Sequence, residues 1–313
     1  MPERRLEIIE IHRRLGFPAP CEWVMSGLRD IVDEGVLGAT NHVALALPLV
    51  ARVAAEPRIT ALAEAFELSN FVARTRGAAA PIVANALAWQ SRGIVSGSDS
   101  AAADLLARRA SDWDAKAKAR RKSLIEKGQL ALQGCRAPMI YDYSSTVADL
   151  VRAIAAGTGL DRIVVPESRA IDGGRRYMLA LADLGVTVLF VPDVALEHAV
   201  ARSDAVLLGA ESVSVDGGIV NTIGSIGAAR AARSHGLAVY GAADLFKVSG
   251  KTAAELPEHP LRSYPFLLRD GEEASTMAPE LETVPPALIS AILTEIGPLA
   301  PGELRGAVSL RDA

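Results

Sequence analysis

The spacing of apolar residues changes once along the chain. Up to about residue 130 they recur at helical intervals, which predicts helices over Leu37–Val53, Ile59–Arg74 and Ala78–Gln90, the last closed by Ser91–Gly93. The stretch SDSAAADLLARRASDWDAKAKARRKSLIEKG reads as one long amphipathic helix, with Ser98 or Asp99 as N-cap and Gly128 as its stop. Its mixed charges read most simply as a solvated face. After Gly134 short, continuously apolar runs take over: APMIYDY, RIVVPES, VTVLFVPD, AVLLGAES and LAVYGAA. A strand buried on both faces has this signature, whereas a half-exposed strand alternates. Helices are expected between the runs, from about Ser145, Gly173, Val194 and Asn221. Repeated strand–helix units predict an α/β fold with a doubly wound parallel sheet. The expected domains are therefore a helical one over 1–130 and an α/β one over 131–313.

Right-handed crossovers bring all the strand C-termini to one edge, where ligands of such folds bind. Tyr141–Ser145, Glu167–Arg169, Asp193, Glu211 and Ala242–Lys247 all fall there. Each alone reads equally well as a cap or turn residue. As a set they bring acids, a tyrosine, an arginine, a lysine and several hydroxyls together, and Glu, Arg and Lys have no particular preference for strand ends.

Composition narrows the classes. Half of the 313 residues are hydrophobic and only 4% are aromatic, so close packing of small side chains must build much of the core. A net charge of −4 gives no electrostatic case for nucleic acid. The two cysteines, Cys21 and Cys135, form neither a disulfide framework nor a Cys-rich metal site and fit a reducing cytoplasm. MPERRLEIIEIHRRLG is charged and helix-like, unlike a signal peptide, and no apolar run reaches the ~18 residues of a membrane span. The five histidines, His12, His42, His198, His235 and His259, lack metal-ligand spacing. GTGLDR and GGRR are glycine turns short of a dinucleotide fingerprint, and Ser144, Ser145 and Ser225 lack the frame of a hydrolase nucleophile. No cofactor and no metal are expected. Ser145 reads as an N-cap or as a phosphate ligand, Asp193 as a ligand-orienting group or a cap, and Asp216–Gly217 as a hairpin turn.

The segment DAVLLGAESVSVDGGIVNTIGSIGAARAA is similar to the pattern D-x-V-x-x-G-A-(D/E)-x-(I/V)-x-x-x-G-x-(I/V)-N-K-I-G-T of the initiation factor 2B alpha/beta/delta family. That family also holds ribose-1,5-bisphosphate isomerase and methylthioribose-1-phosphate isomerase. VVPESRAIDGGRRYMLALADLGVTVLFVPDVA, LFKV and LETVPPALISAILTEIG match further family patterns in order, and TRGAAAPIVANAL matches more weakly. The resemblance runs from about Thr75 to Gly297. It implies a helical N-terminal domain, a Rossmann-like C-terminal domain that forms a homodimer, and a phosphosugar pocket between the domains. The family's isomerases open a sugar ring and convert an aldose phosphate to a ketose phosphate with a cysteine and an aspartate. Its initiation factor subunits are regulatory.

The sequence departs from the isomerase pattern at these very positions. The isomerase stretch T-H-C-H-S-K corresponds to YDYSST, which puts Tyr143 in place of the cysteine and Thr146 in place of the lysine. The aspartate corresponds to Glu211, and the lysine of N-K-I-G to Thr222. A thiol has a reference pKa of ~8.5 and a tyrosine ~10, so Tyr143 is expected to donate a hydrogen bond rather than act as a base. Glu211 would serve as acid/base if partial burial raised its pKa. Arg76, Ser145, Arg169, Asn221, Gly224 and Lys247 are the expected binding groups, with backbone N–H groups at a helix start at Asn221 holding a phosphate. With two lysines missing, the expected ligand is a sugar or nucleoside monophosphate rather than a bisphosphate. The reading is a phosphosugar-binding protein, either an aldose–ketose isomerase with altered residues or a non-catalytic subunit that senses a sugar phosphate or nucleotide.

Overall fold

A computed structural model describes residues 4–35, 38–94 and 100–312. The chain divides into two compact units, one ending at Ala119 and the other spanning Arg120–Arg311.

The first unit is helical: α1 (Glu7–Leu15), α2 (Glu22–Ile31), α3 (Ala39–Ala54), α4 (Ala61–Ala79), α5 (Pro81–Ser91) and the start of α6 (Ser100–Ala131). Pro81 opens α5 at the position where a missing N–H costs nothing. Leu47, Leu68, Phe71, Val83 and Leu87 are fully buried together with Ala46, Ala65 and Ala86, the small-residue packing that the composition required. Gln90, buried among them, donates to the carbonyls of Leu47 (2.8 Å) and Leu106 (3.1 Å).

Helix α6 runs past Gly128 to Ala131. The expected stop is overturned by packing: a Cβ at Gly128 would lie 3.0 Å from Leu150 Cδ1, so the glycine allows a close approach inside the helix. The expected N-cap, Ser98 or Asp99, lies outside the described residues.

The second unit continues in chain order with β1 (Pro138–Tyr141), α7 (Ser145–Gly157), β2 (Arg162–Pro166), α8 (Gly173–Ala180), β3 (Thr187–Val191), α9 (Leu196–Val200) and β4 (Ala205–Leu208). Then come β5 (Ser212–Val213), β6 (Ile219–Thr222), α10 (Ser225–Ser234) and β7 (Ala238–Ala242). The chain ends with β8 (Leu261–Ser263), β9 (Met277–Pro279), β10 (Leu281–Val284), β11 (Ala291–Thr294), β12 (Gly297–Leu299) and α11 (Leu304–Ala307). The main sheet has the order β12-β11-β7-β4-β1-β2-β3, parallel except for β12. Alternate residues of its strands feed two cores. Met139 and Tyr141 pack with α9 and α10, whereas Ile140 packs with α7 and α8. β3, at the edge, is the most exposed of the strands legible as apolar runs.

From β1 the chain winds one way through β2 and β3, then returns to lay β4, β7 and β11 on the other side. The crevice between the C-terminal ends of β1 and β4 is the point at which winding reverses, where doubly wound sheets hold ligands. A small antiparallel sheet, β10-β6-β5, follows β4. It corrects the expectation at Asn221, which lies in β6 and does not open a helix. α10 begins at Ser225, four residues later, behind Gly224, whose φ of +99° is left-handed. A Cβ there would sit 1.8 Å from the hydroxyl of Tyr141, which donates to the Ile223 carbonyl at 3.0 Å.

Candidate functional site

A pocket of about 200 Å³ opens in this crevice, lined by Tyr143, Ser144, Ser145, Thr146, Gly209, Ala210, Glu211, Asn221 and Lys247. The loop after β1 supplies Tyr143 and Ser144, the first turn of α7 Ser145 and Thr146, and the loop after β4 the next three. The two loops approach closely because residue 209 is glycine: a Cβ there would lie 2.5 Å from Ser144 Cβ. Ser144 has extended dihedrals and caps α7, accepting from the Val147 N–H at 3.4 Å. Its own N–H donates to the hydroxyl of Tyr177 at 3.0 Å, and the Tyr177 ring packs 5.2 Å from that of Tyr143. Burial pushes the Tyr177 hydroxyl well above the usual tyrosine range, which keeps it neutral. The N-cap is thus Ser144; Ser145, the first residue of α7, is left exposed on the pocket wall.

Next to the pocket, but outside its lining, lies a buried group that the sequence patterns did not single out. Asp142, buried and at φ +59°, accepts from Thr222 Oγ1 at 2.7 Å and from Ser168 Oγ at 3.2 Å. Burial raises its pKa, the three hydrogen bonds from Thr222, the Tyr143 backbone and Ser168 oppose the rise, and the negative charge of Glu211 adds to it. Asp142 and Thr222 occupy the positions that are histidine and lysine in the isomerase patterns quoted above. The two changes meet as one buried hydrogen-bonded pair, which leaves no potential cation at either position. An aspartate between two tyrosines at a strand end was the available signal, since Asp tolerates the left-handed region.

Glu211 is exposed, with its N–H bonded to the Val220 carbonyl at 2.9 Å. The partial burial set as the condition for Glu211 is thus not observed in the free protein, and Asp142 is the buried carboxylate. Among the described residues no donor bonds the Glu211 carboxylate. Lys247 follows β7 on a short 3₁₀ turn, Leu245–Lys247, and its Nζ donates to the Ala210 carbonyl at 2.5 Å. Asn221 is buried and donates from Nδ2 to Ser225 Oγ at 3.0 Å; that hydroxyl in turn donates to the Thr222 carbonyl.

Tyr143, Ser145, Glu211, Asn221 and Lys247 therefore share one pocket, and the other expected groups do not line it. The backbone N–H groups of Ser168 and Arg169 are held by Asp193 at 2.9 Å each, while the Arg169 guanidinium pairs with Glu167 and lies 5.6 Å from the Phe266 ring. Asp193 thus anchors the loop after β2. Gly224 is required by backbone geometry and the contact with Tyr141. Arg76, in the first unit, donates to His42 Nδ1 at 2.7 Å. The start of α10, expected to hold a phosphate, is occupied by Glu282 of β10, which accepts from the Ile226 N–H at 2.7 Å. Burial raises the Glu282 pKa, and the N–H groups of Ile226, Gly224 and Ser225 oppose the rise.

Cys135 lies before β1, at the opposite end of that strand from the pocket, and donates to Asp204 at 2.9 Å; burial first, then this bond, raises its thiol pKa. Among the described residues no three His, Cys, Asp or Glu side chains gather as a metal-binding group, and no helix is long and apolar enough to cross a membrane. GTGLDR lies between α7 and β2, at the sheet edge away from the pocket.

Residues 44–301 match the model of the initiation factor 2 subunit family. The chain is 28% identical over 185 residues to ribose 1,5-bisphosphate isomerase of Pyrococcus furiosus, covering 56% of this chain and 55% of that one. It is 32% identical over 177 residues to methylthioribose-1-phosphate isomerase of Thermosynechococcus vestitus, covering 52% and 50%. The match thus spans about half the length of these curated relatives. Among solved structures, translation initiation factor eIF-2B of Pyrococcus horikoshii superposes with a TM-score of 0.73 at 19% identity, over 90% of this chain and 98% of that one, a likeness of fold. With its helical first unit, its doubly wound sheet and a family match over most of its length, the chain belongs to the initiation factor 2 subunit family.

Proposed function

We propose that the pocket binds a sugar or nucleoside monophosphate. One observation carries this reading: a helix N-terminus, one lysine and one carboxylate without a protein donor among the described residues converge where the sheet's winding reverses. The phosphate lies against the N–H groups and hydroxyls of Ser145 and Thr146 at the start of α7, with Lys247 alongside. Asn221 bonds a sugar hydroxyl. One lysine in the lining, with the buried Asp142–Thr222 pair beside the pocket in place of histidine and lysine, suits one phosphate better than two. Both named relatives above act on phosphorylated sugars, by their names.

An open-chain aldose phosphate in the pocket covers the Glu211 carboxylate, which is exposed in the free protein; Glu211 then takes the proton from the carbon beside the carbonyl, and Tyr143 donates a hydrogen bond to the oxygen that gains charge. Return of that proton to the former carbonyl carbon, with one proton lost from the neighbouring hydroxyl and one gained by the former carbonyl oxygen, gives the ketose. Purified protein with ribose 5-phosphate, followed by NMR, tests this: turnover abolished by Glu211→Gln supports the isomerase. A specific observation favours a second reading, a non-catalytic sensor. Among the described residues no thiol lines the pocket, and Cys135 is buried at the other end of β1. Binding without turnover supports that reading, and absence of binding contradicts both.

The protein is further read as a cytoplasmic homodimer. Support comes from Leu261, Phe266, Leu267 and Met277, large apolar residues about half exposed around β8 and β9. Sedimentation at micromolar concentration should give a dimer; a monomer contradicts this.

A further inference from the structure

A second cluster of ionisable groups lies one layer behind Lys247. Glu295, at the end of β11, is buried, and both its carboxylate oxygens accept from the Leu245 N–H, at 3.2 and 3.0 Å. Leu245 opens the turn that ends in Lys247, and the Lys247 N–H closes that turn on the Asp244 carbonyl at 3.0 Å. Glu295 is fixed in turn by α6, because Ser123 Oγ and Lys127 Nζ donate to its backbone carbonyl at 2.8 and 2.7 Å. Asp244, the residue before Leu245, has a buried Oδ1 with no hydrogen-bond partner among the described residues. Arg120 of α6 stands 3.8 Å from the other Asp244 oxygen and lies over the Phe246 ring at 4.2 Å.

A buried acceptor without a donor is costly. Two charged carboxylates near each other are costly as well, unless one of them carries a proton. One proton resolves both. We propose that Glu295 is a positioning residue for the pocket lysine: a proton on Glu295, directed at Asp244 Oδ1, latches the Asp244–Lys247 turn, and losing it loosens Lys247 from the pocket wall. In the latched state one Glu295 oxygen accepts from Leu245 and the other carries the proton toward Asp244 Oδ1. In the open state that proton has gone to solvent, and two negative charges face each other with Arg120 as their nearest cation. Burial and the neighbouring Asp244 place the Glu295 pKa at about 7, so the latch operates near neutrality. Glu295→Gln imitates the latched state, since its amide supplies both the acceptor and the donor.

The ligand-free protein decides this by amide NMR from pH 5.5 to 8.5. In the wild type, the Leu245 and Lys247 signals should move together with one midpoint near neutrality; in Glu295→Gln both should stay flat. A flat Lys247 signal in the wild type, or a step that persists in Glu295→Gln, overturns the proposal. The link to binding rests on the function proposed above and uses sulfate, whose charge is constant over this range. Affinity should fall about fivefold from pH 6 to pH 8 in the wild type and stay level in Glu295→Gln. Sulfate affinity that falls equally in both proteins also overturns the latch. No sulfate binding at any pH contradicts the ligand reading, and the amide signals alone then decide the latch.

Discussion

Two carboxylates flank β4, Asp204 before it and Glu211 after it, and both are exposed. Asp204 is fully employed by the chain: it accepts from Cys135 Sγ at 2.9 Å and from the N–H groups of Arg136 and Ala137 at 2.5 and 2.9 Å. Glu211, one strand length away, accepts from no described residue. Exposure does not separate these groups; what separates them is whether the fold uses their lone pairs. The N-terminal edge of the sheet is closed on itself, while the C-terminal edge leaves a carboxylate and two hydroxyls, Ser145 and Thr146, facing the pocket.

The largest expected effect shows that the C-terminal edge also carries structure. Gly224→Ala drives a Cβ into Tyr141 and strains a left-handed residue, so denaturant unfolding should show a loss of about 3–5 kcal/mol. A loss under ~1 kcal/mol would mean that Tyr141 can move aside. Next comes the pH dependence of Glu295. Its pKa is raised in the folded state, from 4.5 to about 7, so its contribution is fully present below pH ~4.5 and is lost as pH rises through about 7. The wild type should lose about 3 kcal/mol relative to Glu295→Gln over that window, measured by unfolding at each pH. Parallel curves for the two proteins would contradict it.

Asp204→Ala tests the closed edge and should cost about 1–2 kcal/mol, leaving phosphosugar affinity unchanged. Glu211→Gln tests the open edge with the opposite pattern, a stability change within ~0.5 kcal/mol and a loss of turnover or binding. If Glu211→Gln destabilises as much as Asp204→Ala, the contrast between the edges fails.

The five parallel strands from β1 to β7 were legible because continuous apolar runs follow directly from burial on both faces. β11 and β12 were not, although AILTEIG is apolar, because the tight β-turn at Glu295–Ile296 leaves strands too short for a period to show. Asn221 misled because an asparagine before an alanine-rich run resembles a helix cap. Cross-strand pairing with Glu282 in β10 places it in a strand instead, and no local signal announces that partner. Gly128 misled in the same way, since a glycine required by a neighbouring leucine looks like one that ends a helix. Half of the site was legible as chemistry at strand ends. The buried cluster beside it was not, because Asp142, Ser168 and Thr222 come from three separate strand ends and meet only in the folded chain.

The central claim is that the crevice between β1 and β4 binds a sugar phosphate. Titrating ribose 5-phosphate into the isotope-labelled protein tests it most directly. The account predicts saturable amide shifts concentrated at Ser145, Thr146, Gly209–Glu211 and Lys247. Saturable shifts confined to other surfaces, or a folded protein that shows none at millimolar ligand, would contradict it.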